Sequence, residues 1–252
     1  MRDMHCHILP GVDDGARDLQ ESLQMLEAAK AAGITEIVCT PHCRSPYFDY
    51  NAMWDAYELL VQHAGGFPIH MGFEVNHRKL VELGFEWIPL LGFDQSNEFL
   101  LELSTHANAT EFQEYERTVF RLQGMGYEVI IAHPERYRAI QRDIELARRF
   151  VRMGCKLQAS ADFIAGGRFG KEKGPAKKMF AEGLYTYIAS DAHRVDHYKW
   201  FARAQREYGV GNNWQTSAAG TGSEDAVSWQ PEPTPKAEPK PKDAKRGRHV
   251  RR

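Results

Sequence analysis

The chain has 252 residues, of which 42% are hydrophobic and 11% aromatic, enough to bury one large core. Its formal net charge of -2 gives no general electrostatic reason to expect nucleic acid or an anionic membrane as the main partner. The sequence has no apolar run long enough for a signal peptide or a membrane span, and its four cysteines form no CxxC pair. We therefore predict a cytoplasmic protein with reduced thiols.

The first predicted strand leads into a polar stretch at residues 3–16. His5 and His7 are two residues apart in this strand, so both imidazoles project from one face. A Pro10-Gly11 turn follows, and Asp13-Asp14-Gly15 then places carboxylate oxygens a few residues from the two imidazoles. We choose Asp14 over Asp13 as the ligand only from the family spacing described below. The stretch predicts one part of a metal site.

A unit of helix, glycine, apolar strand and polar residue then recurs along the chain. Residues 18–32 are predicted to form a helix with Asp18 as its N-cap, and Gly33 ends it. Two further strands, at 69–74 and 99–103, contain Glu74 and Glu102 in apolar surroundings. The other strands with their polar residues lie at 34–42, 126–136, 154–160 and 183–193, which gives about seven strands in all.

Alternating strands and helices predict an α/β fold with parallel strands and right-handed crossovers. In a closed barrel of this kind the functional groups collect at the carboxyl ends of the strands, where the polar residues of this sequence lie. We predict one barrel domain over residues 1–210. Residues 211–252, rich in Pro and Lys and ending in a basic octapeptide, are predicted to be a disordered tail that the core function does not need.

The predicted strand ends supply a set of nitrogen and oxygen donors without thiolate, which suits Mn, Fe or Zn. The set is too large for one tetrahedral ion, but a carboxylate such as Glu74 can bridge, so two or three divalent ions are expected. Clustered ions convert bound water to hydroxide and hold phosphoryl oxygens, which favours hydrolysis. The predicted metal ligands are His5, His7, Asp14, His42, Glu74, Glu102, His133, Asp191 and His193.

These motifs, over residues 1–208, resemble the PHP (polymerase and histidinol phosphatase) family. The similarity is strongest to its branch of bacterial manganese-dependent protein-tyrosine phosphatases, which are encoded with capsule and exopolysaccharide genes. The resemblance implies a distorted seven-stranded β/α barrel with a trinuclear metal site. The matching motifs are the run from His5 to Ala16, Thr40-Pro41-His42, Gly72-Phe73-Glu74, Leu101-Glu102, His133-Pro134-Glu135-Arg136 and Ser190-Asp191-Ala192-His193.

Carried over by motif, the resemblance implies three ligand sets, and it implies that the substrate is phosphotyrosine on the tail of a partner bacterial tyrosine kinase that controls polysaccharide export. It also implies a metal-activated hydroxide as nucleophile. The residues six positions after the four cysteines are Val12, Ser45, Asp49 and Ala161, so the Arg that a thiol-based tyrosine phosphatase needs is absent. The implied sets are His5, His7, Glu74 and Asp191; Glu74, Glu102 and His133; and Asp14, His42 and His193.

Arginines near these motifs are predicted to bind the phosphoryl group, because a guanidinium pairs with two oxygens in a fixed fork. Arg136 is the first choice and Arg44 the second. The family usually has another Arg several residues after the Asp-x-His motif, where an ungapped count places Tyr198. Arg194 could replace it only if the loop is rebuilt, so catalytic strength is an open question.

Three alternatives to a phosphotyrosine phosphatase stay open at this point. The first is a small-molecule phosphomonoesterase of the histidinol-phosphatase kind, against which Glu102 argues, because that branch tends to have His there. The second is a weakly catalytic module that binds a kinase and regulates it. The third is a nuclease or proofreading domain, which is disfavoured because the chain has no net positive charge and no attached polymerase domain. The oligomeric state cannot be read from the sequence.

Overall fold

The computed structural model describes residues 1–107 and 109–209. Strands and helices alternate along this part of the chain, as the sequence predicts. The strands are β1 (Arg2–Cys6), β2 (Glu36–Cys39), β3 (His42–Cys43), β4 (Ile69–Met71), β5 (Glu74–Asn76), β6 (Glu98–Glu102), β7 (Glu128–Ala132), β8 (Lys156–Ser160) and β9 (Tyr187–Ala189). The helices are α1 (Leu19–Ala31), α2 (Tyr50–His63), α3 (His77–Leu83), α4 (Ile88–Leu91), α5 (Ala109–Gly124), α6 (Arg138–Arg142), α7 (Glu145–Arg152), α8 (Lys173–Ala181) and α9 (His197–Tyr208), and three short 3-10 helices lie at Phe85–Trp87, Pro134–Arg136 and Ala161–Ala165.

All pairings between these strands are parallel, which confirms the predicted α/β class. One sheet has the order β1-β2-β4 and the other the order β3-β5-β6-β7-β8-β9. The chain after β9 then returns to β1, where Cys6 and Ala192 form a parallel bridge. The Asp191 amide donates to His5 O at 2.8 Å, and the His7 amide donates to Ala192 O at 2.9 Å. The parallel sheet is therefore curled, with its last strand beside its first.

Nine strands in two sheets replace the seven strands of the prediction in the described part of the chain. Thr40 and Pro41 separate β2 from β3, and Gly72 and Phe73 separate β4 from β5. Proline has no N–H to donate to a ladder, so Pro41 interrupts the strand that the sequence shows as one run. Hydrogen bonds still cross both breaks, because Gly72 N donates to Cys39 O at 2.9 Å and Glu74 N donates to Pro41 O at 3.2 Å.

Helix α1 begins and ends close to where the sequence places it, at residues 18–32. Asp18 is the N-cap of α1, and its carboxylate accepts a hydrogen bond from Glu21 N, which satisfies one of the free amides of the first turn. The strands contribute continuous apolar runs such as Val129–Ala132 in β7, all fully buried, as expected for parallel strands covered on both faces. This packing holds the carboxyl ends of the strands at fixed positions.

The described residues contain no helix that is both long and apolar enough to cross a membrane. All four cysteines are free thiols in buried positions. The predicted tail at residues 211–252 lies outside the described residues.

Candidate metal centre

The predicted ligands lie at strand ends or just after them, on one edge of the curled sheet. His5 lies in β1, His42 begins the short β3, Glu74 begins the short β5 and Glu102 ends β6. His133 follows β7 directly. The other ligands lie in the loops after β1 and β9, namely His7, Asp14, Asp191 and His193.

The structure brings all nine side chains together in four overlapping groups, and within each group the ligand atoms lie within 4.8 Å of one another. His7 joins the implied third set, whereas Glu102 is grouped with His42 and Glu74 and not with His133. His7, His5, His42 and Glu74 each belong to two groups, so neighbouring ions could share ligands. The groups are His7, Asp14, His42 and His193; His5, His7 and Glu74; His5, His133 and Asp191; and His42, Glu74 and Glu102.

Glu74 lies at the centre of this cluster and is 1% exposed. Its Oε2 lies 2.5 Å from His42 Nδ1, 3.5 Å from His7 Nε2 and 3.6 Å from His5 Nε2. Its Oε1 lies 2.7 Å from His133 Nε2. One buried carboxylate thus faces four imidazoles, and this is the geometry of a bridging ligand.

The donor atoms fit metal ions better than they fit one another. Within the described residues, six of the nine side chains have a buried nitrogen or oxygen without a hydrogen-bond partner. Some of these atoms are in ionic contact, since His42 Nδ1 lies 2.5 Å from Glu74 Oε2 and Asp191 Oδ2 lies 2.5 Å from Arg136 Nη2. A cation bound among them would supply the partner that their hydrogen bonds do not. The atoms are Asp14 Oδ1, His42 Nδ1, Glu74 Oε2, His133 Nδ1, Asp191 Oδ2 and His193 Nε2.

Mutual electrostatics shift the pKa values of the cluster strongly. Burial lowers the pKa of His5, but the carboxylates of Asp191 and Glu74 outweigh it and raise that pKa to about 9. Burial also lowers the pKa of His42, but Glu74 and Asp14 outweigh it and raise that pKa to about 9. Burial would raise the pKa of Glu74, but His42 and His5 hold it well below its usual range. The carboxylates are therefore ionised and ready to hold cations.

Two of the ligands have a backbone conformation that residues other than glycine rarely adopt. His133 has φ 30° and Asp191 has φ 47°, both in the left-handed region. Gly15 meets a different constraint, because a Cβ at this position would lie 2.0 Å from His7 O. The loop that holds Asp14 can therefore approach His7 only with glycine at position 15.

Neighbouring side chains orient three of the imidazoles. His5 Nδ1 lies 2.9 Å from Gln158 Oε1, and His7 Nδ1 lies 2.8 Å from Asp13 Oδ2. His193 Nδ1 lies 2.9 Å from the Asp191 carbonyl oxygen. In each pair the oxygen accepts a hydrogen bond from the proton on Nδ1, so Nε2 is the nitrogen that would bind an ion after losing its own proton.

Sequence reasoning did not assign these orienting roles. It weighed Asp13 only as an alternative ligand, and the structure places Asp14, not Asp13, in a ligand group. Asp13 instead bridges His7 and the amides of Gly15 and His42. Gln158 lies inside one of the predicted strands, at 154–160, and could have been noticed as a polar residue in an otherwise buried strand, although polarity alone does not reveal its partner.

Arg136 is buried beneath the cluster and paired with carboxylates. Its Nη2 lies 2.5 Å from Asp191 Oδ2 and donates to Asp162 Oδ2 and Ser160 Oγ, each at 3.0 Å. Asp191 and Asp162, with smaller contributions from Glu135, raise the pKa of Arg136 against the lowering effect of burial. Its Nε has no hydrogen-bond partner among the described residues. In this position the guanidinium orients Asp191.

Arg44 lies at the rim of the cluster and is partly exposed. Its Nη2 donates to His42 Nε2 at 2.8 Å, and its Nη1 lies 3.4 Å from Glu102 Oε1. A groove of about 640 Å³ opens beside the cluster, and Arg44 and Glu102 line it together with Asn76, Leu103 and Tyr115, among others. Arg44 is therefore positioned between the cluster and the groove.

The positions considered for a further arginine are occupied differently. Tyr198 is 1% exposed and packs in the core. Arg194 Nη1 donates to the carbonyl oxygens of Asp14 and Gly15 at 3.0 and 2.6 Å, so it supports the ligand loop. Arg168, which the sequence did not suggest, reaches the rim, and its Nη2 lies 3.6 Å from Asp14 Oδ2.

Most histidines outside the motifs have ordinary structural partners. His77 hydrogen-bonds Thr118 Oγ1 at 2.9 Å, and His63 bonds the Leu59 carbonyl oxygen at 2.8 Å. His197 is the exception near the cluster, because its Nδ1 accepts a hydrogen bond from the His193 amide at 3.2 Å. His197 is absent from all four ligand groups found in the described part of the chain.

Comparison with known proteins identifies the family. The family model described as "Capsular polysaccharide synthesis, CpsB/CapC" matches residues 1–201, which is most of the chain. The chain belongs to this family. It is 33% identical over 203 residues to the tyrosine-protein phosphatase YwqE of Bacillus subtilis, with 77% of this chain and 78% of YwqE covered. It is 30% identical over 202 residues to the putative tyrosine-protein phosphatase CapC of Staphylococcus aureus, with 77% and 78% covered.

A solved structure gives the same relationship. The structure is one of those described for YwqE from Bacillus subtilis and CpsB from Streptococcus pneumoniae, which are called unique metal-dependent tyrosine phosphatases. The TM-score is 0.69 at 30% identity, with 83% of this chain and 88% of the other covered. The family resemblance of the sequence motifs is thereby confirmed for the CpsB/CapC branch.

Proposed function

We propose that this CpsB/CapC family member is a metal-dependent protein-tyrosine phosphatase that hydrolyses phosphotyrosine on proteins. The decisive observation is the cluster of nine histidine and carboxylate side chains, six of which have a buried nitrogen or oxygen that makes no hydrogen bond within the described residues. The names of the relatives supply the substrate class, since YwqE and CpsB are described as metal-dependent tyrosine phosphatases.

The nine predicted ligands would hold two or three divalent ions, for which we propose Mn, with Fe or Zn as substitutes. When bound, such ions supply a deprotonated water near neutral pH and positive charge beside the phosphoryl oxygens. Glu74 would bridge, because it faces His5, His7, His42 and His133 at once. Gln158 and Asp13 keep the Nε2 atoms of His5 and His7 directed at the cluster.

The two predicted phosphate-binding arginines take different positions. Arg44 would bind a phosphoryl oxygen at the rim, where its guanidinium already contacts His42 and Glu102. Arg136 would act on the substrate only through its unpaired Nε, while its Nη2 stays on Asp191 and Asp162. The groove beside Arg44 and Glu102 would hold the polypeptide that flanks the phosphotyrosine.

The same resemblance supports the finer expectations on architecture and partner. We propose that β2 with β3, and β4 with β5, each count as one interrupted strand, which gives the seven strands of a distorted barrel ending near residue 210. The matched family, named for capsular polysaccharide synthesis, supports a bacterial tyrosine kinase of that system as substrate. Four unpaired, buried thiols agree with a cytoplasmic location.

The experiment is phosphate release by the purified full chain, stripped with chelator and then restored with Mn. A phosphotyrosine peptide, the matched phosphoserine peptide and histidinol phosphate are compared in parallel. Mn-dependent turnover that prefers the phosphotyrosine peptide supports the proposal. Preference for histidinol phosphate would replace it with a small-molecule phosphatase, and bound metal without turnover on any substrate would replace it with a kinase-binding module.

A further inference from the structure

The loop between the 3-10 helix at Ala161–Ala165 and α8 places a second guanidinium at the mouth of the cluster. Arg168 Nη2 lies 3.6 Å from Asp14 Oδ2, and Arg44 Nη2 lies 3.7 Å from the same oxygen. Two arginines from distant parts of the chain thus converge on one carboxylate oxygen. Asp14 belongs to the ligand group with His7, His42 and His193, so both guanidinium groups lie beside the proposed metal site.

The loop that holds Arg168 is fixed by a buried carboxylate. Glu172 is fully buried, and it accepts hydrogen bonds from the amides of Phe169 at 2.8 Å and Lys171 at 2.7 Å. Gly167 packs so closely on Glu172 that a Cβ would lie 2.5 Å from the carboxyl group, and its φ of 81° also favours glycine. The Gly167 amide donates to Asp162 O at 2.9 Å. The backbone on both sides of Arg168 is therefore held in place.

The Arg168 side chain itself is free to change its partner. It is 48% exposed, and its contact with Asp14 is long for an ion pair. An exposed pair of this kind contributes little to stability, so exchange of the carboxylate for a better anion costs little. A phosphoryl group offers that anion, because its oxygens match the planar fork of a guanidinium.

From this geometry we propose that Arg168 binds the phosphoryl group of the substrate together with Arg44, which lies near the same oxygen of Asp14. Arg168 donates to a non-bridging phosphoryl oxygen when the substrate enters, and its contact with Asp14 is exchanged for that bond. The anchored loop keeps the guanidinium at the rim between turnovers. The inference rests on the proposed phosphatase function for its substrate, but binding of inorganic phosphate tests it separately.

The test measures the affinity of the metal-loaded full chain for inorganic phosphate by isothermal titration calorimetry, together with metal content and with kcat and KM on the phosphotyrosine peptide. Arg168→Gln removes the charge, and Arg168→Lys keeps the charge without the fork. The matched control is Arg203→Gln, because Arg203 is also about half exposed and bonds a carboxylate, Glu207, at 2.7 Å on α9.

We expect Arg168→Gln to weaken phosphate binding about tenfold or more, as loss of a charged hydrogen bond does, at unchanged metal content and with a raised KM. Arg168→Lys should lie between Arg168→Gln and the natural chain, and Arg203→Gln should match the natural chain. Unchanged phosphate affinity in Arg168→Gln overturns the proposal. Loss of metal that excess Mn does not restore also overturns it, because Arg168 would then act only on Asp14.

Failure of the proposed function looks different. If the natural chain binds phosphate but hydrolyses no phosphotyrosine peptide, the function is wrong while the Arg168 comparison is still decided by the calorimetry. If the natural chain hydrolyses the peptide and Arg168→Gln behaves like Arg203→Gln in every readout, the function stands and the role of Arg168 is wrong.

Discussion

Two buried glutamates in the neighbouring parallel strands β5 and β6 have different surroundings. Glu98, at the start of β6, accepts hydrogen bonds from Arg2 at 3.0 Å, Ser96 Oγ at 3.1 Å and Tyr187 OH at 3.3 Å. Glu74, in β5, faces four imidazoles, and its Oε2 has no hydrogen-bond partner in the described part of the chain. Within the described residues, both oxygens of Glu98 accept hydrogen bonds, whereas only Oε1 of Glu74 does.

The difference separates a structural ion pair from a binding site. A buried charge that has a counter-ion and a full set of donors contributes to the packing of the fold. A buried carboxylate among imidazoles with unpaired nitrogens is stable only with a further cation or with protons taken up by the imidazoles. In parallel α/β barrels the carboxyl ends of the strands bear function and the amino ends bear stability. Glu98 begins β6, whereas Glu74 follows β4 and lies in the second half of the interrupted strand that β4 and β5 form together.

The largest expected effect comes from Glu74→Gln, which removes the proposed bridging charge. Even residues behind metal ligands contribute about 10–100-fold, so loss of this ligand should lower kcat/KM by at least about a hundredfold and reduce bound metal. Without metal the free energy of unfolding near neutral pH should also fall, because His5 and His42 lose the carboxylate that stabilises their protonated forms. Full activity with full metal content would contradict the bridging role.

Glu98→Gln should give a different pattern. Loss of its charge leaves Arg2 with the more exposed Glu36, 3.4 Å from Arg2 Nε, as its counter-ion. The free energy of unfolding should therefore fall, by up to about 3 kcal/mol. At a temperature where the variant is folded, kcat/KM and metal content should equal those of the natural chain. Denaturant titration measures the stability, and phosphate release measures the activity. A loss of metal in Glu98→Gln would show that Glu98 and Glu74 do not differ in the way described.

A smaller effect is expected from the residues that orient the imidazoles. Asp13→Ala and Gln158→Ala should each weaken metal binding by about 10–100-fold, because His7 and His5 lose the acceptors that fix their protons on Nδ1. Excess Mn should restore most of the activity. Competition with a chelator measures the affinity, and an effect on kcat that excess Mn leaves untouched would show that these residues do more than orient ligands.

The smallest effect is expected from thiol alkylation. Burial raises the pKa of Cys155 to about 12 and that of Cys43 to about 12, and all four thiols are buried. Thiolate is the reactive form, so these thiols should be inert. Iodoacetamide should leave phosphate release within about twofold of the untreated protein, whereas rapid inactivation would point to a cysteine nucleophile.

The nine proposed ligands could be selected from the sequence because strand ends are visible as places where an apolar run stops at His, Asp or Glu. The sequence could not predict which of these residues lie together in one group, because that depends on how the sheet curls. Glu102 shares a group with His42, not with His133 as the motif resemblance implies, since β3, β5 and β6 are consecutive neighbours in the sheet. The local composition of the sequence does not show the order of the strands on the two sides of the break at Pro41.

The surrounding residues were harder to foresee for a similar reason. Gln158 and Asp162 act through side chains more than 20 positions away in the sequence, on His5 and Arg136. Arg168 lies in a glycine-rich loop that has no apolar period and no motif, so only its contact with Asp14 reveals it. The predicted clamp role of Arg136 stays a prediction, because its guanidinium holds Asp191 in this structure.

The most direct test of the metal cluster is anomalous X-ray diffraction from crystals of the full chain grown with Mn. We predict two or three Mn peaks among the nine side chains, one of them within bonding distance of Glu74 and shared between the imidazoles that face it. Mn peaks only elsewhere on the protein, or no Mn peaks in crystals grown with excess Mn, would contradict the metal cluster.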